Sequence, residues 1–539
     1  MQLSPSAHAD TFCRDSLPAA AQWPDIEFTL PELHYPDRLN AADELLNPTL
    51  EAGGADRRCL VSPDETWTYG DVARRAAQIA GALTDDLGLV PGNRVLLRGP
   101  NNPWLAACWL GVLKAGGVAV ATMPMLRAAE LTSICDIAQV RLALCDHRFT
   151  GELAAAAVPG LRIVQFGAPD QGDLTQLAAA KPTEFASVQT AADDVAMIAF
   201  TSGTTGRPKA AMHFHRDLLA SADTFSVHVL KPVPDDLFAG TPPLAFTFGL
   251  GALLLFPLRA GAATLLLEKA TPAELADHIA AHGVTVLSTA PTAYRAMLAA
   301  GKAEQLRGLR RPVSAGETLP ASTWQAFYEA TGVKIIDGIG STEMLHIFIA
   351  AADDDIRPGA TGTAVPGYTA AVVDQEGKPV PDGEPGRLAV KGPTGCRYLN
   401  DERQRSYVRD GWNLTGDTYV RDADGYFWYQ ARSDDMIISG GYNIAGPEIE
   451  EVLLSHPDVS ECGVVGIPDE ARGQIVKAFV VLAAGAVGDE AKAKELQDLV
   501  KHQIAPYKYP RAVEFVAALP RTNTGKLQRF RLRGQPAAG

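Results

Sequence analysis

The sequence predicts an α/β protein that carries a β-rich subdomain and, behind it, a small separate α+β module. Three observations predict it. Apolar runs of strand length alternate with segments of helical period from Trp67 to about residue 300, with short Gly/Pro breaks, the pattern of parallel sheets covered by helices. After Arg357 the texture changes: Gly, Pro and Asp become frequent and the β-like runs shorten. The polar break Arg432-Ser433-Asp434-Asp435 then sets off about 100 residues with their own strand and helix pattern, a normal size for a small domain. At 539 residues the chain is too long for one compact core, and with 47% hydrophobic residues it can bury a large one.

The elements follow in order. Residues 1–45, rich in Pro and acidic side chains, predict an irregular segment along the surface of the first domain. Thr68-Tyr69-Gly70-Asp71 opens a helix to about Leu87, with Val72, Ala76, Ile79 and Leu83 at helical spacing. Asn93 to Leu97 reads as a strand, Trp104 to Lys114 as a helix closed by Gly116-Gly117, and Val118 to Thr122 as the next strand. Val195 to Phe200 is a further strand, and a patterned helix begins near His215. Beyond Arg357, Ala370–Asp374, Gly386–Val390 and Tyr426–Tyr429 read as short strands. In the last module a helix starts within Pro447–His456, where Ile449, Val452, Leu453 and His456 share one side. Strands follow at Glu461–Ile467 and Ile475–Leu482, then a helix from about Glu490 to Ile504. The domains are expected at 1–431 and 432–539.

The net charge of −15 argues against a general nucleic-acid binder and leaves room for a local basic pocket that holds a nucleotide. Cys13, Cys59, Cys108, Cys135, Cys145, Cys396 and Cys462 are odd in number and lack C-x-x-C spacing. Neither a disulfide framework nor a zinc site is expected; small buried hydrophobes in a reducing cytoplasm fit. No signal peptide and no membrane span are expected.

One segment stands out, Thr201-Ser202-Gly203-Thr204-Thr205-Gly206-Arg207-Pro208-Lys209-Ala210, placed between a strand and a helix. Glycines let backbone N–H groups approach anionic oxygens, hydroxyls add donors and the lysine adds a mobile charge, so the loop suits phosphate. It is not the G-x-x-x-x-G-K-[ST] loop, because two residues separate Gly203 from Gly206 and Lys209 follows a proline. Ser314-Ala315-Gly316-Glu317-Thr318 offers a small-residue surface for a flat base, although alone it reads first as a turn that starts a helix. Asp337-Gly338-Ile339-Gly340-Ser341-Thr342-Glu343 follows the strand-like Val333–Ile336. Its glycines allow close ligand approach, and Thr342 and Glu343 offer oxygens that suit Mg2+ beside phosphate and water. A turn with a capping Ser or Thr fits it equally. In Trp412-Asn413-Leu414-Thr415-Gly416-Asp417, an Asp after a tight Gly turn can accept two hydrogen bonds from a ribose diol, or belong to an ordinary loop. Arg521-Thr522-Asn523-Thr524-Gly525-Lys526 sets a lysine at a loop tip, either solvated or reaching into another domain's cleft.

Together, from Trp67-Thr68-Tyr69 to Lys526, these segments resemble the motif series of the adenylate-forming superfamily of acyl-CoA synthetases, luciferases and carrier-loading adenylation domains. The resemblance covers nearly the whole chain. It implies a large N-terminal domain of two α/β subdomains plus a β-rich, barrel-like subdomain, and a small mobile C-terminal lid. It also implies the chemistry: a carboxylate attacks the α-phosphorus of ATP, pyrophosphate leaves, and the thiol of coenzyme A displaces AMP from the acyl-AMP. On the same resemblance Thr201, Ser202, Gly203, Thr204, Thr205, Gly206 and Lys209 wrap the β- and γ-phosphates. Gly316, Glu317 and Thr318 line the adenine site, as do Asp337, Gly338, Ile339 and Gly340. Thr342 touches the α-phosphate, Glu343 holds Mg2+, and Asp417 binds the ribose with Arg432 near it. Lys526 bridges the carboxylate and the α-phosphate, the lid pivots at Asp434, and the turn Ser439-Gly440-Gly441-Tyr442 lines a pantetheine tunnel.

The acid is implied more narrowly. Pro242-Pro243-Leu244-Ala245-Phe246-Thr247-Phe248-Gly249 is similar to the superfamily's acyl-pocket motif. Gly338 to Phe348, His346 included, is similar to the benzoate-CoA ligase branch. Within it, Ala199–Gly206, Met212–Asp217 and Pro243–Gly251 look most like 2-aminobenzoate-CoA ligases. The branch implies that Phe246, Thr247, Gly338, Gly340 and His346 meet a flat aromatic acid, anthranilate ahead of benzoate or another substituted benzoate. His346 reads equally as a packed helix histidine, Phe248 equally as core, and His213 and His215 as polar residues at a helix start. Pro242 to Gly251 has no acidic residue to hold an α-amino acid's ammonium. An enzyme loading an aryl acid onto a carrier protein would share every ATP motif. The expected partners are the acid, ATP and coenzyme A, with no nucleic acid and no membrane, in a monomer or homodimer.

Overall fold

The computed structural model describes residues 3–167, 173–201, 208–432, 435–439, 442–469, 472–504, 506–521 and 527–534. The strand–helix alternation builds two sheets. The first has the order Arg162–Phe166, Leu142–Asp146, Arg94–Arg98, Val118–Thr122, Val195–Thr201, Lys209–Phe214, parallel up to its last, antiparallel strand. Arg94–Arg98 is buried along its whole length, as a strand covered on both faces must be. The second sheet runs Thr363–Ala364, Ile347–Ala350, Ile336–Gly340, Arg311–Ser314, Val286–Thr289, Leu237–Gly240, Ala263–Leu265, Arg58–Val61, Thr66–Thr68. It is parallel in its centre and antiparallel at both ends.

The helix Tyr69–Asp85 starts where the sequence says it should. Thr68 Oγ1 accepts from Asp71 N at 3.1 Å while Asp71 Oδ2 accepts from Thr68 N at 3.0 Å, a reciprocal capping box. Its apolar face, with Val72, Ala76, Ile79 and Leu83, packs on the helix Pro103–Lys114. One core cluster joins these helices to both sheets, through Val95 and Leu97 of the first and Leu60, Phe238, Val286, Val313 and Ile336 of the second.

An antiparallel sheet of Thr369–Val373, Pro385–Lys391, Trp412–Arg421, Val408–Arg409 and Phe427–Arg432 forms the β-rich subdomain. The last module has its own sheet, in which Gly473–Leu482 pairs with Val459–Asp469, Ile437–Ser439 and Ala512–Phe515. The helices Gly446–Leu454 and Glu490–Gln503 bury Ile449, Val452, Leu453, Leu496 and Val500 against it, a separate core. All seven cysteines are buried and unpaired. No helix among the described residues is long and apolar enough to cross a membrane.

Three expectations are corrected. The N-terminal segment is woven into the large domain: Cys13, Leu33, Leu39, Ala41 and Leu45 are buried, and Asn40 Nδ2 donates to Leu113 O at 2.7 Å. Widely spaced apolar residues among prolines and acids hide that burial from composition. The phosphate-type segment does not run from strand to helix. Lys209–Phe214 is itself a strand, antiparallel to Val195–Thr201, so the segment closes a hairpin before the helix His215–Ser221. Gly416 makes no turn; with φ of +80° it sits inside the strand Trp412–Arg421, where the pairing with Pro385–Lys391 shifts register.

Candidate functional site

The hairpin strand Lys209–Phe214 is the axis of the site. On one side, the segment around Arg397 runs beside it: Met212 N donates to Arg397 O at 2.8 Å and Leu399 N to Ala210 O at 2.9 Å. Gln404 fixes that segment by accepting from Tyr398 N at 2.9 Å and donating to Cys396 O at 3.0 Å. Tyr398 is thereby carried to Lys209, whose Nζ donates to the tyrosine hydroxyl at 3.0 Å. The hydroxyl donates to Glu343 Oε1 at 2.5 Å, and Lys209 Nζ lies 3.7 Å from the same carboxylate oxygen. The predicted phosphate lysine and the predicted Mg2+ ligand therefore meet, through a tyrosine that sequence reasoning missed.

Glu343 lies in a tight turn in which Leu345 N donates to Thr342 O at 3.2 Å. Leu345 takes a φ of +71°, a left-handed conformation that costs a non-glycine residue roughly 1–2 kcal/mol. His213, wholly buried, braces the turn: its Nε2 lies 2.7 Å from Thr342 O. A carbonyl only accepts, so Nε2 is the donor. Behind it, Arg397 Nη1 donates to Asp217 Oδ2 at 2.7 Å, both residues fully buried. Burial would raise the Asp217 carboxyl, but Arg397, His213 and Arg216 together outweigh it and hold the group at about 2.

A row of tyrosines links Glu343 to the other predicted acids. Tyr407 Oη shares a hydrogen bond with Ser341 Oγ at 3.1 Å, and its hydroxyl is raised by burial and then by the Glu343 carboxylate, with Asp417 a smaller influence. Tyr419 is raised by burial and by Asp417, with Asp337 also acting on it. Asp417 is buried and pairs across the sheet with Arg432, whose backbone alone is described. Asp337 stands in register with Ser314 on the neighbouring strand; its Oδ1 is buried without a partner among the described residues, and burial pushes the carboxyl up to about 8. Asp337, Gly338, Ile339 and Gly340 belong to a strand rather than a turn. A Cβ at Gly340 would lie 2.6 Å from His346 O and one at Gly338 2.8 Å from Ile347 Cγ2, so the adjoining chain already requires both glycines. Gly316, with φ of +87°, and Thr318 are exposed, and Glu317 accepts from Arg521 Nη1 at 2.9 Å.

The predicted acid pocket is aromatic. His346 precedes the strand Ile347–Ala350 rather than sitting in a helix. Its buried ring lies among Phe225, Phe248 and Phe256, with centroids 5.4, 5.6 and 4.5 Å away. Burial lowers its pKa to about 3, so the ring is neutral, and Nδ1 has no partner among the described residues. Phe246 is not one of these ring neighbours; it is half-buried just before the helix Thr247–Leu250, whose Thr247 is buried.

Thr201 ends its strand opposite Lys209, and its Oγ1 is buried without a partner among the described residues. Among the described residues no group of three His, Cys, Asp or Glu converges as a metal site, so Glu343 fits a cation that draws its other ligands from phosphate and water. Ser202, Gly203, Thr204, Thr205, Gly206, Asp434, Gly440, Gly441 and Lys526 lie outside the described residues, as does the Tyr442 side chain. Ser439 and Tyr442 pair across the hairpin that the two glycines would close. Arg521, which donates to Glu317, pairs with Leu527. Tyr398, Arg397 and His213 could not be found from spacing, because their partners at the site lie 55 to 189 residues away.

Two family models match: the AMP-binding enzyme over residues 50–398 and the AMP-binding enzyme C-terminal domain over 448–526. The benzoate–CoA ligase of Thauera aromatica is 35% identical over 94% of this chain and 98% of its own length. The crystal structure of the anthranilate CoA ligase AuaEII with anthranoyl-AMP superimposes with a TM-score of 0.89 at 36% identity, covering 94% of this chain and 98% of that one. A benzoate CoA ligase from Burkholderia xenovorans LB400 gives a TM-score of 0.85 at 33% identity, with 92% and 100% covered.

Proposed function

The chain belongs to the AMP-binding enzyme family, in the benzoate-CoA ligase branch of the adenylate-forming superfamily, and on that premise we propose that it joins 2-aminobenzoate to coenzyme A. It is an acid–thiol ligase. In the first step a carboxylate oxygen bonds to the α-phosphorus of ATP and pyrophosphate departs with the electrons of the broken P–O bond. In the second the thiolate of coenzyme A bonds to the carbonyl carbon and AMP leaves.

Both steps shift negative charge among oxygens, so positioned cations and donors do most of the work. Lys209, with the Thr201 hydroxyl and Ser202 to Gly206, faces the β- and γ-phosphates. Glu343 holds Mg2+, which neutralises phosphate charge when bound, and Thr342, braced by His213, meets the α-phosphate. Gly316 to Thr318 and Asp337 to Gly340 border the adenine, and Asp417 with Arg432 the ribose. A domain boundary at 431/432 and a pivot at Asp434 let residues 432–539 deliver Lys526 first and the Gly440-Gly441 turn second. A cytoplasmic monomer or homodimer fits the buried free thiols.

The observation that carries the choice of acid is the neutral ring of His346, walled by three phenylalanines three residues after Glu343. A flat aryl group gains there by ring contact, and a neutral imidazole can accept from an ortho amine. Thioester formation with 2-aminobenzoate, benzoate, hydroxybenzoates, α-amino acids and fatty acids tests it. The expected ranking by kcat/KM puts 2-aminobenzoate first and α-amino and fatty acids last. Benzoate ahead of 2-aminobenzoate would move the assignment within the branch, and a fatty acid in front would overturn it.

A further inference from the structure

We propose that Tyr398 is a positioning residue that sets the Glu343 carboxylate for Mg2+, an inference that rests on the reading of Glu343 as the metal's protein ligand. The hydrogen-bond directions around Tyr398 are fixed by chemistry. An ammonium only donates and a carboxylate only accepts, so the chain must run from Lys209 Nζ to Tyr398 Oη at 3.0 Å and from Tyr398 Oη to Glu343 Oε1 at 2.5 Å. A hydroxyl is the one neutral group here that can do both.

The surroundings hold this order. Tyr398 is almost wholly buried, its backbone N–H is fixed by Gln404, and its ring meets Tyr407 edge-on at 5.8 Å. Lys209 Nζ stands 5.2 and 5.8 Å from the two ring centres, which favours a cation there without a second anion. Glu343 is thus presented with Oε1 occupied. A cation arriving with the nucleotide meets a carboxylate already turned and neutralised on one side. Lys209 can release its contact to the phosphates while the Tyr398 bond keeps Glu343 in place.

The test is ATP binding by titration calorimetry, with and without Mg2+, for Tyr398→Phe, Glu343→Gln and Lys209→Met. Loss of the hydrogen-bond partner that orients a metal ligand typically weakens metal affinity about 10–100-fold, so Tyr398→Phe is expected to weaken binding in Mg2+ at least about tenfold and leave Mg2+-free binding unchanged. Glu343→Gln should show the same pattern more strongly, and Lys209→Met should weaken both. Thioester formation from supplied aryl-AMP and coenzyme A should be spared in Tyr398→Phe. If Tyr398→Phe weakens both titrations, the residue acts through Lys209 and the proposal falls; if it weakens neither, the proposal falls as well. An unaffected Glu343→Gln would instead remove the reading it rests on. A misfolded fraction lowers the stoichiometry rather than the affinity. Should the Phe variant not fold, Gln404→Ala, which loosens the Tyr398 backbone and leaves the hydroxyl in place, is expected to weaken ATP binding in Mg2+ and leave Mg2+-free binding unchanged; no loss in Mg2+ would overturn the proposal.

Discussion

Single residues carry two kinds of charge control in this molecule. Asp217 is buried and ionised because Arg397, His213 and Arg216 surround it; His215 and His346 are buried and neutral because burial disfavours the imidazolium, at His215 even against the Asp194 carboxylate. His215 gives a direct pH prediction. Its Nδ1 accepts from Ala41 N at 3.1 Å, and burial lowers its pKa to about 3. Below about pH 6.5 the unfolded chain binds a proton on this ring and the folded one does not, so acid favours unfolding between those two values. His215→Asn removes that difference. Relative to wild type, the variant should gain about 2 kcal/mol between pH 7 and pH 5, from 1.5 pH units at roughly 1.4 kcal/mol each. Denaturant melts at the two pH values read it, and an unchanged difference would contradict a neutral buried ring.

At the scale of elements, the proposed acid site depends on one helical wall approaching closely. The helix Thr247–Leu250 continues as a π-turn over Gly251–Leu255 into the helix Phe256–Ala260. A Cβ at Gly251 would lie 2.4 Å from His346 Cδ2. Gly251→Ala must therefore push the imidazole aside, and we expect the KM for the aromatic acid to rise about tenfold, roughly 1.4 kcal/mol, with the KM for ATP unchanged. Equal effects on both would mean a general loss of packing. Elements also show what a sequence can reveal. The helix Tyr69–Asp85 was legible because its cap and its apolar stripe are local. Motif order picked out the acids Glu343, Asp337 and Asp417, and in the fold Glu343 and Asp417 act on Tyr407, and Asp417 and Asp337 on Tyr419. The strand Lys209–Phe214 was not, since Ala-Ala-Met-His-Phe after a glycine-rich run lacks a distinctive period. Nor was Tyr398, whose role comes from pairings across 189 and 55 residues. The glycines at 338 and 340, read as room for a ligand, are also explained by a neighbouring strand.

For the whole molecule, the question is how the small C-terminal module serves the large domain. Arg521 joins them, donating to Glu317 at 2.9 Å and to Glu461 at 2.6 Å, and Ala321 N donates to Glu451 Oε1 at 3.2 Å. A single part-buried ion pair of this kind is worth on the order of 1 kcal/mol. Arg521→Ala should slow acyl-AMP formation by about fivefold and spare thioester formation from supplied aryl-AMP. Lys526→Ala should cost the first step on the order of 10²–10³-fold, the size expected when a charge at the reacting atoms is lost. Rapid-quench assays of each half-reaction separate a tether from a catalytic charge, and equal losses in both variants would erase that distinction.

The measurement closest to the central claim is a single turnover of enzyme with ATP and 2-aminobenzoate and no coenzyme A. One equivalent of pyrophosphate should appear with enzyme-bound aryl-AMP, and adding coenzyme A should then yield AMP and the thioester. Formation of ADP and phosphate, or pyrophosphate that waits for coenzyme A, would contradict it.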